Sequence, residues 1–180
     1  MLIVKAKTDG ILENKDISYY KLSKLVDYDD GYLNNIFRGK NPFPKNLIEK
    51  LLPILEVSRE EFEGWILADK YPKEIIERAI QIKKEFPHKR KSVLTNKIDE
   101  TLQEKDMSRT ALAKQINYSQ SSLNQIITGK RGMPKSVLEK ISQTLEKSQD
   151  EILSWILVDK YSLKILETAL KELSRHAGTL

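Results

Sequence analysis

An all-α fold in two tandem copies of about five to six helices each is what this chain predicts, on three observations. Segment 16–81 aligns with segment 106–171 without a gap, with roughly two-fifths of positions identical. Apolar residues recur at helical spacing in both copies, and no stretch alternates with the period of a strand. Ser, Asp, Gly and Pro interrupt those stripes at matching places. The repeat divides the 180 residues into 1–86, a basic linker 87–91, and 92–180. Domains this small bury limited cores, so each is expected to be compact and helical.

In the second copy, Ile98 and Leu102 mark the end of a first helix beginning near Lys91. Asp106 stops it, and Ser108 caps a short second helix whose inward stripe is Leu112, Ala113 and Ile116. Asn117 tolerates the left-handed backbone of a sharp turn. A third helix runs from Ser119 or Gln120 to Ile127, burying Leu123, Ile126 and Ile127, with Gly129 past its end. Pro134 opens a fourth helix, where a missing N–H costs nothing, and Val137, Leu138, Ile141 and Leu145 form its core face. Ser148 and Glu151 form a capping box for a fifth helix running through Trp155 to about Tyr161. Leu163, Leu166, Ala169, Leu170 and Leu173 mark a sixth, the natural element for docking the copies or pairing chains. The first copy repeats the punctuation at Ser18, Asp27, Gly39, Pro44, Ser58 with Glu61, Trp65 and Pro72.

Composition excludes several function classes. There is no cysteine, hence no disulfide, thiol chemistry or Cys-based zinc site. His88 and His176 lack partners at metal-ligand spacing, so no metal and no cofactor are expected. No phosphate-binding glycine loop, paired-carboxylate motif or nucleophile and base spacing is present, and the protein is read as not an enzyme. The apolar run in MLIVKAK is too short for a signal core or a membrane span, so a cytoplasmic, nucleoid-associated location with no membrane contact is expected.

Charge is unevenly divided. Of 31 basic and 26 acidic residues, 1–86 carry 15 of each, leaving 16 basic and 11 acidic residues for 87–180. The net charge of +5 therefore belongs entirely to the second copy and its leading linker. Such a surplus attracts a polyanion, of which DNA is the commonest in the cytoplasm.

The second and third helices, joined by a three-residue turn, carry the functional expectation. They cross closely only if the second helix is small at the contact and the turn admits a left-handed residue. Ala113 with Asn117 meets both demands, and Ser23 with Asp27 meets them less well. With the Gly after the third helix and the Leu-rich fourth, the pattern resembles the Cro and phage-repressor (xenobiotic-response-element) type of helix-turn-helix domain. It covers roughly 16–70 and 106–160.

The resemblance implies a lambda-repressor-like fold and sequence-specific binding of double-stranded DNA, as in a transcriptional regulator that occupies an operator. In that family the third helix enters the major groove, which here places Ser119, Gln120, Ser121, Ser122, Asn124 and Gln125 at base edges. Gln120 is similar to the family's adenine reader, since an amide can pair with N6 and N7 together. The same resemblance assigns phosphates to Arg109, Thr128, Lys130, Arg131 and Lys135. In the first copy it offers Tyr32, Asn34 and Asn35 for bases, and Arg38, Lys40 and Lys45 for phosphates. Lys89, Arg90 and Lys91 would form an arm along the groove or the backbone, the alternative being an exposed linker. A solvated polar helix surface is the bland alternative for the third-helix residues.

The first copy departs where DNA contacts are expected, with Asp29 and Asp30 in place of Ser119 and Gln120. A carboxylate there repels phosphate, although it can accept from cytosine N4 or simply cap the helix. Gly31 weakens that helix unless close approach to DNA is wanted. These acids motivate a rival expectation, a helix-turn-helix scaffold of antitoxin or anti-repressor type whose first copy binds a protein partner. Pairing as a homodimer is compatible with either. Trp65 and Trp155 are read as core residues, and Tyr28 and Tyr118 as packed residues with wet tips.

Overall fold

The computed structural model describes residues 2–86 and 92–177. Twelve α-helices and no strand are found among the described residues. They are α1 Ile3–Asn14, α2 Tyr19–Val26, α3 Asp30–Phe37, α4 Lys45–Leu55, α5 Arg59–Lys70, α6 Lys73–Glu85, α7 Val93–Glu104, α8 Arg109–Gln115, α9 Gln120–Ile127, α10 Lys135–Leu145, α11 Gln149–Lys160 and α12 Leu163–Ala177.

Local chemistry accounts for most boundaries. Ser18, Ser58, Ser108 and Ser148 each cap a helix by accepting from the amide three residues on, and the acids Glu60, Glu61, Asp150 and Glu151 lie in the first turns of α5 and α11. Asp27 and Asn117 take the left-handed conformation at φ of 55° and 51°, as do Gly39 and Gly129 at 73°. Two details differ from the sequence expectation. Pro134 and Pro44 are N-caps with extended backbone rather than first-turn residues, since the φ that the ring fixes near −65° suits extended backbone as well as helix. Helix α7 starts at Val93, two residues later than expected, because Ser92 caps it by accepting from the Thr95 amide. Gly129 lies past the end of α9 as expected, just after the cap residue Thr128.

Packing divides the chain into two compact units whose limits differ from those of the repeat. One unit is 1–73 with 164–180; the other is 74–163. Helix α6 thus packs with the helices of the second copy, and α12 with those of the first. In the first unit Lys7 pairs with Glu172 at 2.8 Å, and a Cβ on Gly64 would lie 2.7 Å from Thr168 Cγ2, so α5 and α12 approach too closely for any side chain there. In the second, the Lys83 ammonium on α6 donates to the Val158 carbonyl, and burial lowers its pKa.

Each unit fixes its helix-turn-helix with the same two tethers. The Lys50 and Lys140 ammoniums donate to Val26 O at 2.7 Å and Ile116 O at 2.9 Å, satisfying carbonyls at the C-terminal ends of α2 and α8. Asp69 accepts from the amides of Ile3 and Val4, and Asp159 from those of Val93 and Leu94, closing the N-termini of α1 and α7. The cores differ in substance. The first unit runs an aromatic chain, Tyr19, Phe37, Phe43, Phe62 and Trp65, with successive centroids 5.2 to 5.8 Å apart and mostly edge-on. The second has Ile127, Met133 and Ile152 where the first has its phenylalanines. Trp65 and Trp155 are buried as expected.

Candidate nucleic-acid interface

The second unit presents α9 as an exposed helix on a rigid base. Leu123, Ile126 and Ile127 are buried and anchor its inner face, while Leu112 and Ala113 of α8 receive it. Ser119 caps it by accepting from the Ser122 amide at 3.5 Å, so the Ser119 hydroxyl already has a structural task. Gln120, Ser121, Asn124, Gln125, Thr128 and Lys130 line one open depression of about 480 Å³. Six residues named from the sequence are therefore gathered on one surface, five amide or hydroxyl groups and one cation. The depression holds no carboxylate, and its donors and acceptors are of the kind that match base edges.

Other expected residues lie around it. Ser122 is half-buried beside the cap, and Arg131 and Lys135 are exposed at and beyond the end of α9. Thr128 turns its hydroxyl back onto the carbonyl of Asn124 at 2.7 Å. Arg109 is held by Asp99 through two bonds, Nε to Oδ1 at 2.7 Å and a terminal nitrogen to Oδ2 at 2.6 Å. Hydrogen bonding to this carboxylate raises the pKa of the guanidinium further, and its remaining terminal nitrogen lies 3.5 Å from Asn124 Oδ1. Gln120 donates from Nε2 to Thr110 Oγ1 at 2.8 Å. Asp99 and Thr110 were missed by sequence reasoning. Each lies ten residues before its partner on a different helix, a spacing with no periodic signature.

The first unit builds the same frame with different chemistry. Asp29 caps α3 by accepting from the Tyr32 amide at 2.8 Å, so its acid serves the helix end. Asn34 turns its amide back to Asp30 O at 3.1 Å, and Asn35 is half-buried. Tyr32 is 40% exposed and stacks on Tyr28, with centroids 6.0 Å apart. Arg38, Lys40 and Lys45 are exposed. Tyr19 takes the place of Arg109 and donates its hydroxyl to Asp9 at 2.7 Å; burial, followed by the bond to Asp9, pushes its pKa well above the usual phenol range. Gly31 lies exposed inside α3, with Asp29 Oδ1 3.2 Å from where a Cβ would stand. Lys89, Arg90 and Lys91 fall outside the described residues.

No group of acids and histidines able to hold a metal occurs among the described residues. No described helix is long and apolar enough to cross a membrane. Neither a curated protein nor a solved structure matches the chain. The sequence model of the Cro/C1-type HTH DNA-binding domain matches residues 97–157, from α7 into α11, with α8, α9 and the depression at its centre. A Cro/C1-type HTH DNA-binding domain, a DNA-binding module and not an enzyme family, is therefore present in the second copy of this chain.

Proposed function

We propose that the protein binds double-stranded DNA sequence-specifically through α9 and regulates transcription by occupying an operator. The observation that carries this reading is the acid-free depression on α9, inside the segment that matches the DNA-binding domain. Lys130, Arg131 and Lys135 neutralise phosphates and fix register, while Gln120, Ser121, Asn124 and Gln125 choose bases. The repeat organisation supports two helix-turn-helix domains in one chain, so that a second, weaker contact by α3 would act at high effective concentration. A mobility-shift series on random duplex DNA and on an enriched site, at two salt concentrations, tests the reading. Expected are binding that weakens steeply with salt and an excess affinity for the enriched site. Absence of binding at low salt, or binding without any preference, overturns it.

A second reading has its own observation. The large apolar residues exposed among those described are Tyr20 at 64%, Leu25 at 54% and Tyr32 at 40%, all on α2 and α3 of the first unit. At the matching positions the second unit has Thr110, Gln115 and Ser122. Together with Asp29 and Asp30, these residues suit a protein partner better than a phosphate backbone. A protein co-purifying with the chain and released by Tyr20→Thr with Tyr32→Ser, while DNA binding persists, would establish that role for the first copy.

A further inference from the structure

Asn124 is the one residue of the α9 depression whose amide orientation is dictated by chemistry. A guanidinium only donates, so the group that faces it must be the amide oxygen. Asp99 grips two corners of the Arg109 guanidinium at 2.7 and 2.6 Å and leaves the third corner toward Asn124 Oδ1, 3.5 Å away. The bidentate grip keeps the planar guanidinium in place, and its charge holds the amide dipole even at that separation. Asn124 therefore turns its Nδ2 donors away from Arg109, on the helix surface that it shares with Gln120, Ser121 and Gln125. The matching Asn34 stands in a different setting, with Asp30 where the second copy has Gln120 and the Asp30 carboxylate oxygen 3.5 Å from its Nδ2. With Tyr19 in place of Arg109, its Nδ2 turns inward to Asp30 O.

Resting on the proposed reading of α9, we propose that Asp99 is a positioning residue for base selection: through Arg109 it fixes Asn124 as a double donor that selects guanine over adenine. Guanine offers two acceptors, N7 and O6, on its major-groove edge. Adenine offers N7 beside the N6 donor, so its two-bond pairing needs the amide oxygen, which Arg109 turns toward itself and away from the outer surface. An unrestrained asparagine pairs with adenine through both amide atoms. The cation thus converts an adenine reader into a guanine reader.

The test is enrichment of binding sites from a random duplex library by the full-length chain and its Asn124→Ala, Arg109→Met and Asp99→Asn variants. The wild-type site should contain one position where guanine is preferred over adenine by about tenfold, and Asn124→Ala should flatten that position alone. Arg109→Met should bring the guanine to adenine ratio at this same position to one or below. Asp99→Asn should lower it too, and should steepen the salt dependence by about one counterion as the released Arg109 reaches a phosphate. Melting temperatures should stay within a few degrees of the wild type, since the Asp99 and Arg109 pair is partly solvated. An Asn124-sensitive position that prefers adenine in the wild type overturns the proposal, as does a guanine preference that Arg109→Met leaves intact. If the wild-type chain enriches no site at all, the reading of α9 fails and the proposal falls with it, a result distinct from either of these.

Discussion

Helices α3 and α9 occupy matching places in the repeat and share a frame, yet their exposed chemistry has diverged. Both are eight residues long, begin behind a side-chain cap and bury their inner face. Both follow a left-handed residue and a lysine tether to the preceding helix. The outer face of α9 carries amides, hydroxyls and a nearby cation, whereas α3 starts with two acids, continues with a glycine and shows an exposed tyrosine. Fold and surface chemistry are thus separable properties of one motif. Buried apolar positions and caps preserve the helix, and the outward residues are free to change because nothing in the core depends on them.

The largest expected effect is on DNA binding. Gln120→Ala with Gln125→Ala should weaken binding to the enriched site about 100-fold, two base contacts at about 1–3 kcal/mol each, with little change on random DNA. Asp30→Ala with Asn35→Ala, the matching change in α3, should cost less than about threefold. Equal losses in the two copies, measured by titration of labelled duplex, would erase the contrast between the helices.

A second contrast concerns stability. Gly64→Ser installs the residue found at Ser154 and drives a Cβ against Thr168, so it should destabilise by about 2 kcal/mol. Ser154→Gly in the other unit should cost less than about 1 kcal/mol. Denaturant titrations of both variants compare the two contacts, and a harmless Gly64→Ser would refute the tight approach of α12.

Two smaller changes sharpen the picture. Thr8 is fully buried with no protein hydrogen-bond partner for its hydroxyl among the described residues, and Ile98 takes its place in the second copy. Thr8→Val should therefore stabilise by about 1 kcal/mol in thermal unfolding. Asp29→Ser with Asp30→Gln transfers the start of α9 onto α3 while keeping a capping hydroxyl. It should raise affinity for random duplex about threefold at low salt, and an unchanged affinity would mean that α3 does not approach DNA.

Much of the helix layout was legible because caps and turns are local. Ser108, Asn117, Gly129 and Ser148 act on amides or on their own backbone within a few residues, while Pro134 lies one residue outside its helix and α7 starts two residues later than expected. The residues of the depression on α9 were named through the resemblance to the helix-turn-helix domain, which assigns the start of the third helix to base edges and its end to phosphates. What escaped was whatever joins two helices through side chains. The grip of Asp99 on Arg109, the bond from Gln120 to Thr110 and the lysine tethers on Val26 and Ile116 need distances that no periodicity encodes.

The sequence by itself determined that the chain is helical, that it is duplicated, and where its helices start and stop, because these follow from backbone preferences and the spacing of apolar residues. Only the tertiary structure decided which helices share a core. The stripes of α6 and α12 declare that each must be buried without declaring against what, and the packing placed α6 with 74–163 and α12 with 1–73. Hydrophobic burial is non-directional, so an apolar stripe specifies a need, and shape complementarity such as the bare Cα of Gly64 against Thr168 selects the partner that meets it.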